Sequence, residues 1–104
     1  MAIDDVALGE LLLDPDRFPW DRFLFLPRGA EWTLETKGAV LHEEDLDVEP
    51  PEAELANGMR YALSISQVCE IVENARQQRA RPSAGDLLRA FQYYFDHDAF
   101  ITFP

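Results

Sequence analysis

A chain of 104 residues is the size of one domain, residues 1–104, able to bury roughly two-thirds of its unfolded surface. Its one cysteine, Cys69, excludes an internal disulfide framework. Twenty acidic residues against nine basic ones set a net charge of −11, which repels nucleic acid and anionic membranes and draws in cationic partners.

In chain order, the start at Met1-Ala2-Ile3-Asp4-Asp5 lacks the basic residues and apolar run of a secretion signal. No stretch reaches the roughly 18 apolar residues of a membrane helix. A soluble, cytoplasmic protein is therefore expected. Ile3 to Leu13 reads as a short helix with Ile3, Val6, Ala7 and Leu11 inward, stopped by Asp14-Pro15-Asp16 because proline disfavours a helical residue before it. Phe18-Pro19-Trp20-Asp21 follows as a connector whose large rings are expected to pack on the core. Arg22 to Leu26 is a compact apolar run bounded by Pro27-Arg28-Gly29, the pattern of a buried strand and a turn.

Glu31 to Lys37 alternates, with Trp32, Leu34 and Thr36 on one side and charged or polar residues on the other, and predicts a half-buried strand. Gly38 breaks or bulges it, and Ala39 to His42 either continues it or forms its own strand. Then come seven acids in the twelve positions from Glu43 to Glu54, with no base. Pro50-Pro51 stiffens this stretch toward an extended form, and Asn57-Gly58 closes it with a turn. Arg60 to Leu63 is a further strand candidate.

Two amphipathic helices end the chain. In Ser64 to Arg79, Ile65, Val68, Cys69, Val72 and Ala75 form one apolar stripe. Ser64 and Gln67 have capping-box spacing, and Arg76, Arg79 and Arg81 complement the helix dipole at the far end. Cys69, on the stripe, is expected to be a packed small hydrophobe. In Ser83 to His97, Ser83 and Asp86 repeat the capping pair, and Leu87, Leu88, Phe91, Tyr94 and Phe95 make an aromatic face. Asp96 and Asp98 fall at the negative end of that helix, against the dipole. Phe100 and Phe103 seal either the core or a dimer. The expected fold is α+β: a small, mainly antiparallel sheet with helices packed on one side and two helices at the C-terminus.

No phosphate-binding loop, dinucleotide fingerprint or nucleophile elbow is present, and the glycines are scattered singly. His42 and His97 have carboxylate neighbours but no spacing that specifies a metal site. The expectation is a protein without catalytic residues, cofactor or metal, acting by binding. Glu43, Glu44, Asp45, Asp47 and Glu49 are the first candidates for partner contact, as an acidic arm that pairs with Lys and Arg. Tyr93, which lies off the apolar stripe, is a second, with Asp96 and Asp98.

Trp32-Thr33-Leu34, Gly58 to Ile65 and Asp86 to Phe95, about half of the chain, resemble bacterial immunity proteins of polymorphic-toxin and contact-dependent inhibition systems. That resemblance implies an antidote that binds a cognate toxin with a basic surface, often a nuclease, and covers its active site, its carboxylates standing in for phosphates. The other reading is a generic acidic interaction or adaptor domain without a toxin partner.

Overall fold

The computed structural model describes residues 4–46 and 58–104. Asp47, Glu49, Ile3 and the Asn57 half of the expected turn lie outside them. Strands β1 (Asp4–Ala7), β2 (Arg22–Pro27), β3 (Lys37–His42) and β4 (Met59–Ser64) form one antiparallel sheet in the order β1-β3-β2-β4. Helices α1 (Leu8–Leu13), α2 (Ile65–Gln78) and α3 (Ala84–His97) cover one of its faces. This is the expected α+β fold.

The faces follow from strand periodicity. Leu24, Leu26 and Val40 point to the helices and join Leu11, Ile65, Val68, Val72, Leu87 and Phe91 in the main core. Phe25, Ala39 and Leu41 point the other way and pack with Phe23, Leu46, Met59 and Tyr61. Between β2 and β4 the register skips one residue, since Leu24 pairs with Leu63 but Phe25 with Tyr61. Ala62 is the extra residue of this bulge. Consequently Ala62 and Leu63, adjacent in sequence, both reach the main core.

Both long helices begin as their sequences require. The Ser64 hydroxyl accepts from Gln67 N at 3.1 Å and Gln67 Oε1 accepts from Ser64 N at 3.0 Å. Ser83 and Asp86 make the same reciprocal pair, both bonds 3.0 Å. At the junction of the helices Arg79 Nη1 lies 3.2 Å from Asp86 Oδ1, so the end of α2 holds the start of α3. The tail folds back on this junction: Gln78 bonds Ile101 O and Phe103 N, Phe103 is buried, and Phe100 stays 43% exposed.

Two expected elements are corrected. Ile3 to Leu13 is not one helix: residues 4–7 are an edge strand whose Val6 pairs with Gly38, and only Leu8–Leu13 is helical. Glu31 to Lys37 is not a strand of its own: Lys37 is the first residue of β3, and residues 31–36 are not strand. Their carbonyls go elsewhere, Thr36 O accepting from Leu8 N at 2.8 Å and Leu34 O from Gly9 N at 2.9 Å. They satisfy the first amides of α1, whose flanking Ala7 has no side-chain oxygen to do so. Gly38 neither breaks nor bulges its strand; it sits buried inside β3, where the Phe25 carbonyl and the Leu24 and Leu26 side chains leave no room for a Cβ.

Candidate protein-interaction surface

Among the described residues no polar or charged side chain is buried, so every described carboxylate is available to solvent or a partner. The candidate residues fall into two groups at opposite ends of the sheet. His42, the last residue of β3, pairs with Arg22, the first of β2. Glu43–Asp45 form a short 3-10 turn directly beyond it, with Glu43 and Glu44 exposed. At the other end of β2, Trp32 Nε1 donates to the Pro27 carbonyl at 2.9 Å, and Arg60, opposite Leu26, lies over the Phe95 ring of α3 at 5.3 Å. Asp96 is next to Phe95. The six residues of β2 thus separate the two groups by roughly 17 Å.

The first end contains a residue whose place differs from expectation. Trp20 does not pack on the core: it is 74% exposed, while Phe18 two residues earlier is partly buried against it. Beside Trp20, Asp21 Oδ2 lies 3.4 Å from His42 Nε2, and His42 Nδ1 accepts from Glu44 N at 3.1 Å. With Nδ1 turned to the Glu44 amide, the Nε2 edge of the ring faces the Asp21 carboxylate. One imidazole therefore ties the Trp20–Asp21 loop to the 3-10 turn. An exposed indole and the carboxylates of Asp21, Glu43 and Glu44 come together there, although Asp21 and Glu43 are far apart in sequence.

At the other end Tyr93 is half-buried, outside the core cluster as expected, and stacks on His97 with ring centroids 4.1 Å apart. Asp98 has a backbone reason for its position. It ends α3 in the left-handed region, φ 54°, with its amide donating to Tyr94 O at 2.8 Å. Aspartate is one of the few residues other than glycine that visit this region readily. Asp96 is exposed and borders a shallow groove with Ala30, Glu31, Trp32, Gln92 and Phe95. This groove has no signature in the sequence, because its walls come from segments sixty residues apart.

Two further features bear on chemistry. Cys69 is only half-buried, and its Sγ lies 3.6 Å from Asp16 Oδ1. Burial and then the hydrogen bond and charge of Asp16 push the thiol up from its ordinary value, which keeps it in the protonated, poorly nucleophilic form. Among the described residues no three His, Cys, Asp or Glu side chains converge so as to hold a metal ion, and no helix is long and apolar enough to cross a membrane.

A small α+β domain that carries its carboxylates and an exposed indole on the surface defines a class of domain in which the surface holds the recognisable chemistry. The chain belongs to the family described as a domain of unknown function, DUF7716, whose model matches residues 5–103. No curated protein and no solved structure matches it.

Proposed function

We propose that this chain is an immunity protein, which binds a cognate toxin domain with a basic surface and covers its active site. The observation that carries this reading is Trp20, 74% exposed and held by the Asp21–His42 contact beside Asp21, Glu43 and Glu44. Tryptophan is the residue most enriched at the energetic centre of protein interfaces, where a few large side chains supply most of the affinity. The carboxylates supply the complementary role. An excess of eleven negative charges speeds encounter with a cationic surface by about 10- to 1,000-fold at low salt and disfavours acidic competitors. A toxin cleft built for phosphates would accept carboxylates at the same positions. In this reading the protein has no catalytic residue of its own and works in the cytoplasm.

The partner to test is any toxin domain encoded directly before this chain, the position in which the immunity reading expects it. Stopped-flow association and dissociation with that domain separate the two contributions. Glu43→Gln with Glu44→Gln is expected to lower the association rate and flatten its salt dependence. Trp20→Ala is expected to speed dissociation, weakening the complex by about 30-fold, or 2 kcal/mol. A complex indifferent to both changes, or one that salt leaves unaltered, would contradict the reading and favour a generic adaptor domain.

A further inference from the structure

The groove at the opposite end of the sheet has its own chemistry, independent of the toxin reading. Ala30, Glu31, Trp32, Gln92, Phe95 and Asp96 line this shallow, open groove of about 410 Å³. Its aromatic wall is fixed before anything binds. Trp32 donates from Nε1 to Pro27 O at 2.9 Å, and its own carbonyl accepts from Gln92 Nε2 at 2.9 Å. The indole meets the Phe95 ring in a T-shaped contact with centroids 4.7 Å apart. Two exposed carboxylates, Glu31 and Asp96, border the groove, and neither forms an ion pair among the described residues. Phe95 already takes one guanidinium, that of Arg60, 5.3 Å from the ring centroid.

We propose that this groove receives an arginine side chain presented by a partner protein. The three-carbon stem and planar guanidinium suit Trp32 and Phe95, because arginine is weakly hydrated and stacks on aromatic rings. Its fork of donors then reaches the two carboxylates, which give the charge complementarity. Lysine brings the same charge without a plane to stack, and phosphate-bearing ligands are repelled by Glu31, Asp96 and the net charge of −11. Trp32 is held by two hydrogen bonds and an aromatic contact, so little further ordering of the groove wall is required on binding.

The test is a heteronuclear NMR titration of the full chain with acetyl-Gly-Arg-Gly-amide, followed at the Trp32 indole N–H and the Gln92 side-chain amide. Both signals are expected to move together in the millimolar range. The citrulline peptide, of the same shape but neutral, is expected to bind about fivefold more weakly, as is the arginine peptide to a Glu31→Gln, Asp96→Gln variant. Both substitutions are on exposed side chains, so the fold is retained, and the citrulline comparison uses the unaltered protein in any case. The assignment is overturned if citrulline or lysine peptides bind as well as arginine, or if the double variant binds undiminished. Shifts that avoid Trp32 and Gln92 would also overturn it. None of these outcomes depends on a toxin being the partner.

Discussion

Asp21 and His42 meet at 3.4 Å across the first rung of the β2–β3 pairing, and His42 in turn accepts the amide of Glu44. Through this one side chain the exposed Trp20 is kept beside the acidic turn. His42→Ala removes the Glu44 hydrogen bond and the Asp21 contact at a partly exposed position, so the expected loss is about 0.5–1 kcal/mol of stability. The more specific result is local: the Glu44 amide should exchange with solvent faster while the amides of the β2–β4 pairing stay protected. Equal exchange at Glu44 in the two proteins would show that the imidazole does not hold the turn.

Gly38 and Gly85 should respond in opposite directions to the same substitution. A methyl group at Gly38 would lie 2.9 Å from both the Phe25 carbonyl oxygen and Leu26 Cδ2. The carbonyl belongs to a paired strand and cannot move aside, so Gly38→Ala is expected to cost about 1–3 kcal/mol. At Gly85, near the start of α3, the nearest atom is Ser83 Oγ at 3.7 Å. There alanine should stabilise by about 0.5 kcal/mol through helix propensity and a less flexible unfolded chain. Thermal unfolding of the two variants checks both signs, each kcal/mol moving the midpoint by roughly 4–8 °C.

The Cys69 thiol is pushed above its ordinary 9.0 by burial and by Asp16. Its alkylation by iodoacetamide should therefore reach half its limiting rate at a pH above 9.0, and proceed slowly at neutral pH because little thiolate is present. Asp16→Asn removes the negative charge and should move that midpoint down. A wild-type midpoint at or below the ordinary value would refute the described Cys69–Asp16 contact.

Asp86 makes the fold sensitive to acid. The Ser83 backbone amide, with Arg79 adding its charge, holds the Asp86 carboxyl below its ordinary 3.8. A folded value below the unfolded one means that the carboxylate stabilises the protein at any pH above the unfolded value. That contribution disappears as pH falls through the folded value. Asp86→Asn should lower the thermal midpoint at neutral pH, and the gap from wild type should close as pH drops below about 4. A gap of the same size at every pH would mean that ionisation of Asp86 contributes nothing.

The parts of the fold that could be read from sequence are those determined by nearby residues. α2 and α3 carry a stripe at helical spacing and a capping box each, and β2 carries a short apolar run between turn residues. Glu31 to Lys37 shows why pattern alone misleads. Its side chains do alternate between exposed and half-buried, yet its carbonyls serve the start of α1 instead of a neighbouring strand. The division of Ile3 to Leu13 into strand and helix was equally hidden, because Val6 is inward in either reading and only its pairing with Gly38 decides. Of the candidate surface, Glu43 and Glu44 were evident from charge density. Trp20 was not, since a large ring in a connector is normally buried. The groove of Trp32, Gln92 and Phe95 has no local signature at all, being assembled when α3 docks on the loop before β3.

The most direct measurement is co-expression of this chain with a toxin domain encoded immediately before it, the neighbour that the immunity reading expects, read as bacterial growth and as a purified complex. The account predicts that the domain alone arrests growth and that the chain restores it by forming a one-to-one complex. It also predicts that Trp20→Ala combined with Glu43→Lys and Glu44→Lys abolishes both. Growth without arrest, arrest that the chain does not relieve, or relief that survives all three substitutions would contradict it.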